Sequence, residues 1–295
     1  MDDDLIIRPM TAADRPGMRA STRAAIDDLQ RRLGAPAEPD GGPAAPSSNS
    51  GAAIVGQLLD LDAAGAWVAT VDGQVCGAAM AGLREGLWYL AHLHVRPGQQ
   101  GRGVGRRLLG AALRYGPDAR GRLLHSSLDP QAMRCYQRAG FALEPALQAA
   151  GMVRRAALPA AGRARAGGAG DLELAAEVDR RVRGAAHGPD LEVLLGAGAR
   201  LLVLDDRRER GYALIDAGTP KTVAATSTTA AVELLWAALA ESGEHAVTVE
   251  ILRADQQWAI DVALRAGLNL APMGPLCRQG DTGPLAPYLP HADVL

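Results

Sequence analysis

Apolar and polar residues change their spacing several times along the first half of the chain, and each change marks an element. A short apolar run at 5–8 reads as a strand, and Thr11 with Asp14 three positions on has the form of a helix start, the helix running to about Leu33. Residues 34–51 are mostly Gly, Pro, Ala, Ser and Asp, the composition of a loop, and loops that long inside a domain tend to be functional or mobile. A second helix is predicted at 52–60. Strands at about 66–71 and 75–83 flank Asp72-Gly73, a strong hairpin signal. A third strand, 87–96, follows the turn Arg84-Glu85-Gly86. Val104, Leu108, Leu109, Ala112 and Leu113 fall on one side of an amphipathic helix over 104–115. A strand at 122–127, a helix at 130–139, and two more strands at 141–147 and 152–157 complete the pattern.

Residues 159–170 have the composition of a linker, and beyond them the pattern starts again. Arg138-Ala139-Gly140-Phe141 recurs as Arg265-Ala266-Gly267-Leu268, each after a helix. Gly77-Ala78-Ala79 has an analogue in Gly211-Tyr212-Ala213-Leu214, and a helix from Ala230 to Ala240 carries Leu234 and Leu235 where the first carries Leu108 and Leu109. The order and spacing of these matches predict a duplicated domain, with units at 1–158 and 171–295.

Composition narrows the function classes. A net charge of −2 gives no general attraction to nucleic acid or to a membrane surface. No apolar run approaches the roughly 20 residues that span a bilayer. Cys76, Cys135 and Cys277 are far apart and without ligand spacing, so neither a disulfide framework nor a metal site is expected, and a reducing cytoplasm fits. The acidic start, Met1-Asp2-Asp3-Asp4, lacks the basic-then-apolar order of a signal peptide.

The chemistry concentrates where the strand at 87–96 meets the helix at 104. Gln100-Gly101-Arg102-Gly103-Val104-Gly105 lies between them, and a helix start preceded by glycines offers unpaired N–H groups to an anion such as a pyrophosphate. Arg106 breaks the GxGxxG dinucleotide fingerprint, and no Gly-Lys-Ser/Thr exists for a P-loop. Val95-x-Pro97 followed by Gln100-Gly101-Arg102-Gly103-Val104-Gly105 resembles the acetyl-CoA loop of the GNAT superfamily of N-acetyltransferases. Asp129-x-x-Ala132-x-x-x-Tyr136-x-x-x-Gly140-Phe141 is similar to a second segment of that family, with Asp129 where the family has Asn. The resemblance covers about 5–157 and is faint over 171–295, where Thr226-Ser227-Thr228-Thr229 stands in place of the glycine loop and Ala263 in place of Tyr136.

That resemblance implies an α/β (α+β) chain of two GNAT-like domains, each a mixed, mostly antiparallel sheet flanked by helices, the C-terminal one degenerate. It implies acetyl-CoA as cosubstrate and transfer of its acetyl group to a primary amine. The amides of 101–105, with Arg102 and Arg106, would hold the pyrophosphate. The strand Leu93-His94-Val95 would pair with the pantetheine arm, and the Leu93 N–H would polarise the acetyl carbonyl. Asp129 would face the pantetheine, and Tyr136 would protonate the leaving thiolate.

From the residues themselves, His92 and His94 alternate with Leu93 and Val95 onto the other face of the strand, where either could take the amine proton; Glu85 is another candidate. The loop 34–51 would border the acceptor. Ser126, Ser127 and His125 invite a hydrolase reading, but no Gly-x-Ser-x-Gly exists. Trp67, Trp88, Trp236 and Trp258 read as core or interface anchors. The resemblance implies a small-molecule or peptide amine of unspecified kind as acceptor, and a homodimer is compatible with the chain. The alternative reading is a non-catalytic acetyl-CoA-binding regulatory or scaffolding protein.

Overall fold

The computed structural model describes residues 5–34, 48–160, 162–206 and 208–295. In the first half, β1 (Ile6–Pro9) leads through a single 3-10 turn into α1 (Arg15–Leu33). Asp14 fixes this start by accepting from the Thr11 N–H at 2.8 Å and from the Arg8 guanidinium at 2.7 Å, and Arg8 holds its carboxyl down at about 2. Then come α2 (Ser50–Leu61), β2 (Ala66–Val71), β3 (Gln74–Arg84), β4 (Leu87–Val95), α3 (Val104–Leu113), β5 (Gly121–His125), α4 (Pro130–Arg138) and β6 (Ala142–Gly151). Most of the 34–51 loop, residues 35–47, lies outside the described residues.

The second half runs β7 (Arg165–Ala166), α5 (Leu172–Val182), α6 (Pro189–Gly196), β8 (Arg200–Asp205), β9 (Arg210–Asp216), β10 (Thr219–Ala225), α7 (Thr228–Ala240), β11 (Val247–Arg253), α8 (Gln257–Arg265), β12 (Asn269–Gly280) and β13 (Tyr288–Leu289). β7 falls inside the stretch read as linker and pairs with β8. Two sheets flanked by helices result, as the resemblance implied: the eight-stranded one is mixed through the parallel β4–β5 pair, and the five-stranded one is antiparallel throughout.

The repeats occupy equivalent places. A Cβ on Gly77 would come 2.8 Å from the His94 carbonyl and 3.1 Å from Leu108; one on Gly211 would come 2.7 Å from the Ala224 carbonyl and 2.7 Å from Leu234. In both units a helix therefore packs against bare backbone, which excludes any larger residue. The turns after α4 and α8 also match: Phe141 N–H donates to the Tyr136 carbonyl at 3.1 Å, and Leu268 N–H to the Ala263 carbonyl at 2.9 Å.

One expected strand does not form. Residues 152–154 leave the sheet, with Arg154 N–H donating to the Ala266 carbonyl at 2.7 Å, and 155–157 make a 3-10 turn. The place between β5 and β6 is taken instead by β12, whose residues Leu276–Gly280 pair with His125–Gly121. On its other edge β12 pairs with β6, and β6 pairs with β11. The units thus exchange β6 and β12, and the eight-stranded order is β1-β2-β3-β4-β5-β12-β6-β11. An apolar run can announce a strand, but its partner is chosen by contacts remote in sequence.

A buried polar cluster also joins the halves. Arg84 lies 2.9 Å from Asp62 and 2.7 Å from Asp190 of α6, and the Tyr89 hydroxyl donates to Asp190 at 3.0 Å. Full pairing makes such buried charge tolerable.

Candidate active site

β4 and β5 run parallel and paired only over Leu87–Leu90 and Gly121–Leu124. Beyond that point they part. Between β3 and β4 the register shifts, Ala81 facing Leu90 and Met80 facing His92, so Ala91 is an extra residue that bulges the strand. Arg96 N–H donates to the Cys76 carbonyl of β3 at 2.7 Å. Main-chain groups of an antiparallel strand alternate in direction, so the N–H groups of Leu93 and Val95 point away from β3, into the gap. The Gln100 amide closes one end of this edge by donating to the Val95 carbonyl at 2.9 Å.

The turn between β4 and α3 requires its glycines: Gly101 and Gly103 have φ of 76° and 80°. The first intrahelical bond of α3 is Arg107 N–H to the Gly103 carbonyl, 3.1 Å. Among the described residues the N–H groups of Val104, Gly105 and Arg106 have no main-chain acceptor, as helix starts dictate, and they sit at the positive end of the helix dipole. Arg102 reaches back to Gln99, 2.8 Å.

α4 forms the other wall. Asp129 is its N-cap, accepting from Gln131 N–H at 2.8 Å, while its second oxygen accepts from Arg32 of α1 at 2.9 Å. Its carboxylate is therefore already engaged by the helix start and by an arginine. Tyr136 is buried, edge-on to Phe141 with ring centroids 6.5 Å apart. Its hydroxyl has no hydrogen-bond partner among the described residues, and burial pushes the phenol well above its ordinary range, so it stays protonated.

These groups share one cleft of about 720 Å³, within the size range of small-molecule sites. Of the residues singled out in the sequence, Leu93, His94, Val95, Gln100, Gly101, Gly103, Gly105, Arg106, Asp129 and Tyr136 line it. Val104 packs into the core instead, and Arg102 and His92 are not part of the lining. Sequence reasoning missed the α1 wall, Ile26, Leu29 and Arg32, and two further arginines, Arg134 and Arg138. The basic residues of α4, spaced by four, were a readable signal. The contribution of α1 was not, because nothing local ties that helix to a turn some seventy residues on.

The histidines separate. His94 is bonded to α1, Nε2 lying 2.7 Å from Ser21 Oγ and 3.2 Å from Thr22 Oγ1. Burial, reinforced by repulsion from His92, drives its pKa down to about 3, so it is neutral near pH 7 and no effective proton acceptor. His92 is also lowered by burial, an effect the nearby Asp293 carboxylate opposes, and its Nε2 is sealed from solvent with no partner among the described residues. Glu85, at the far end of β4, is tied to Arg180 at 2.9 Å and to Ala186 N–H at 2.9 Å. His125 bonds the Gly274 carbonyl and Ser126 the Ser127 carbonyl, so they form no hydrolytic pair.

The matching region of the second half is built differently. Only Thr226 and Ser227 separate β10 from α7. Ser227 caps the helix by accepting from Ala230 N–H at 3.1 Å, and its hydroxyl donates to Glu209 at 2.6 Å. A carboxylate therefore faces this helix start.

Comparison with known proteins bears on the fold. The model of the acetyltransferase (GNAT) family matches residues 36–141. A putative acetyltransferase from Pyrococcus horikoshii is 17% identical, with a TM-score of 0.73 over 98% of this chain and 92% of its own. A GCN5-related N-acetyltransferase from Sphaerobacter thermophilus is 18% identical, with a TM-score of 0.59 over 95% and 96%. A tandem GNAT protein from the clavulanic acid biosynthesis pathway is 15% identical, with a TM-score of 0.55 over 94% and 98%. The curated proteins contain no match. The chain has the GNAT acetyltransferase fold. No helix among the described residues is long and apolar enough to cross a membrane.

Proposed function

We propose that this protein is an acetyl-CoA-dependent N-acetyltransferase with its active site in the first half. The observation that carries the reading is the convergence on one cleft of an unpaired strand edge, a helix start framed by positive-φ glycines, and a buried tyrosine hydroxyl without a partner. The N–H groups of Val104, Gly105 and Arg106, with the Arg106 side chain, bind the pyrophosphate. The edge of β4 pairs with the pantetheine amides, and Leu93 N–H donates to the thioester carbonyl.

The acceptor amine attacks the carbonyl carbon. The C–N bond forms, the C–S bond breaks, and the sulfur leaves as thiolate. Tyr136 donates its hydrogen bond to that sulfur and is placed to protonate it. His94 is engaged by Ser21 and Thr22 of α1; His92, whose Nε2 has no partner among the described residues, is the candidate for the amine proton provided the acceptor reaches it on the face of β4 away from Leu93 and Val95. The second half binds no coenzyme, because Ser227 and Glu209 occupy its helix start. The domains are drawn at 1–158 and 171–295, joined by 159–170 and interlocked through β6 and β12.

Calorimetry with acetyl-CoA, followed by thiol release in the presence of a panel of primary amines, tests this. Micromolar binding with amine-dependent thiol release is expected. No heat with excess acetyl-CoA overturns the reading; binding without release for any amine leaves the non-catalytic coenzyme binder.

A further inference from the structure

The cleft of the second half is filled by the chain itself. Thr226 N–H donates to the Arg210 carbonyl of β9 at 2.8 Å, as Arg96 N–H does to Cys76 in the first half. Val95 therefore corresponds to Ala225, and Leu93 to Val223. In the first half this edge faces an open gap. In the second, Ala225 N–H donates to the Pro287 carbonyl at 3.3 Å, and β13 pairs with β10 as Val223↔Leu289 and Ala224↔Tyr288. β13 lies on the side of β10 away from β9.

The segment is held from its other side as well. Arg253, at the end of β11, donates to the Leu285 carbonyl at 2.6 Å, and Gln256 donates to the Tyr288 carbonyl. Leu285 N–H donates to the Val182 carbonyl at 2.7 Å. Leu285, Tyr288 and Leu289 are buried, and so is the chain end, where Arg183 donates to the Leu295 carbonyl oxygen.

We infer that Leu285–Leu289 is an internal occupant of the second half's cleft, taking the main-chain donors that in the first half await the pantetheine arm, so that the two-unit chain takes up one coenzyme and not two. Naming pantetheine as what the segment replaces rests on the coenzyme reading of the first cleft; the occupancy does not. The mode is strand addition, in which main-chain hydrogen bonds supply the affinity, here with a tethered strand that free ligand competes with poorly.

Hydrogen exchange on the full chain, with and without coenzyme A, tests the assignment alongside calorimetric stoichiometry. Without ligand, amides at 223–225 should exchange at least about tenfold more slowly than those at 93–95. Coenzyme A should then protect 93–95 and 101–106, leave 223–225 unchanged, and bind once per chain. Equal ligand-free exchange at the two edges, ligand-dependent protection at 223–225, or two sites per chain would overturn the inference. If coenzyme A protects neither edge, the first cleft's reading fails, while slow ligand-free exchange at 223–225 still supports the occupant. Leu289→Asp should speed exchange at 223–225; unchanged exchange there in a folded variant would overturn the inference.

Discussion

The two halves share a strand, a crossing helix and a glycine at the same close contact, yet among the described residues only the first keeps an open cleft between that strand's edge and the helix start. The difference lies in what joins strand to helix. Residues 96–103 separate β4 from α3, whereas only Thr226 and Ser227 separate β10 from α7. The longer connection lets glycines at positive φ turn several N–H groups toward one point; the shorter one satisfies its helix start with a serine and places a glutamate beside it. The fold is common to both units, and the cluster of unpaired N–H groups at the first helix start is a property of the connection.

Five experiments sharpen or break that contrast. The largest effect is expected from cutting the units apart. A 1–158 fragment leaves β5 and β6 without β12 between them, and it should fail to fold alone by circular dichroism; co-expression with 159–295 should restore it. A folded, coenzyme-binding 1–158 fragment would show that the exchanged strands are dispensable.

Next is Tyr136→Phe, which should lower kcat by about a hundredfold or more while the acetyl-CoA Kd stays within about threefold. Unchanged turnover would make Tyr136 a packing residue like its counterpart Ala263. Gly103→Val forces a β-branched residue to φ near 80° and should weaken acetyl-CoA binding by about 10- to 100-fold. Ser227→Ala, at the matching helix start, should leave that Kd unaltered and cost about 1 kcal/mol of stability. Equal losses of affinity would erase the distinction between the halves.

The smallest effect concerns protons. His92 must be neutral to accept one, and burial lowers its pKa below 6.5, so kcat/KM should be flat at neutral pH and fall only as pH drops through that lowered value. His92→Gln should remove this limb. A limb centred above 6.5 would assign the proton to another group.

Much of the site was legible from residue types at close spacing. Glycines at 101, 103 and 105 between an apolar run and an amphipathic one can make little else than a donor-rich turn, and Asp129-Pro130 announces a helix start that carries Tyr136 inward. The two histidines looked alike because alternation assigns a face and not a partner. Ser21 and Thr22, over seventy residues earlier, hydrogen-bond one, and nothing among the described residues bonds the Nε2 of the other.

By itself the sequence determined most elements of the first half and the absence of a second glycine turn, since each depends on periodicity or on residues a few positions apart. Tertiary structure decided that the expected strand at 152–157 yields its place to β12, that α1 roofs the cleft of the first half, and that β13 pairs with the matching strand edge of the second. The physical reason is one of range. Backbone preference and amphipathic spacing act within a few residues, whereas a strand edge accepts whichever partner the rest of the fold delivers to it.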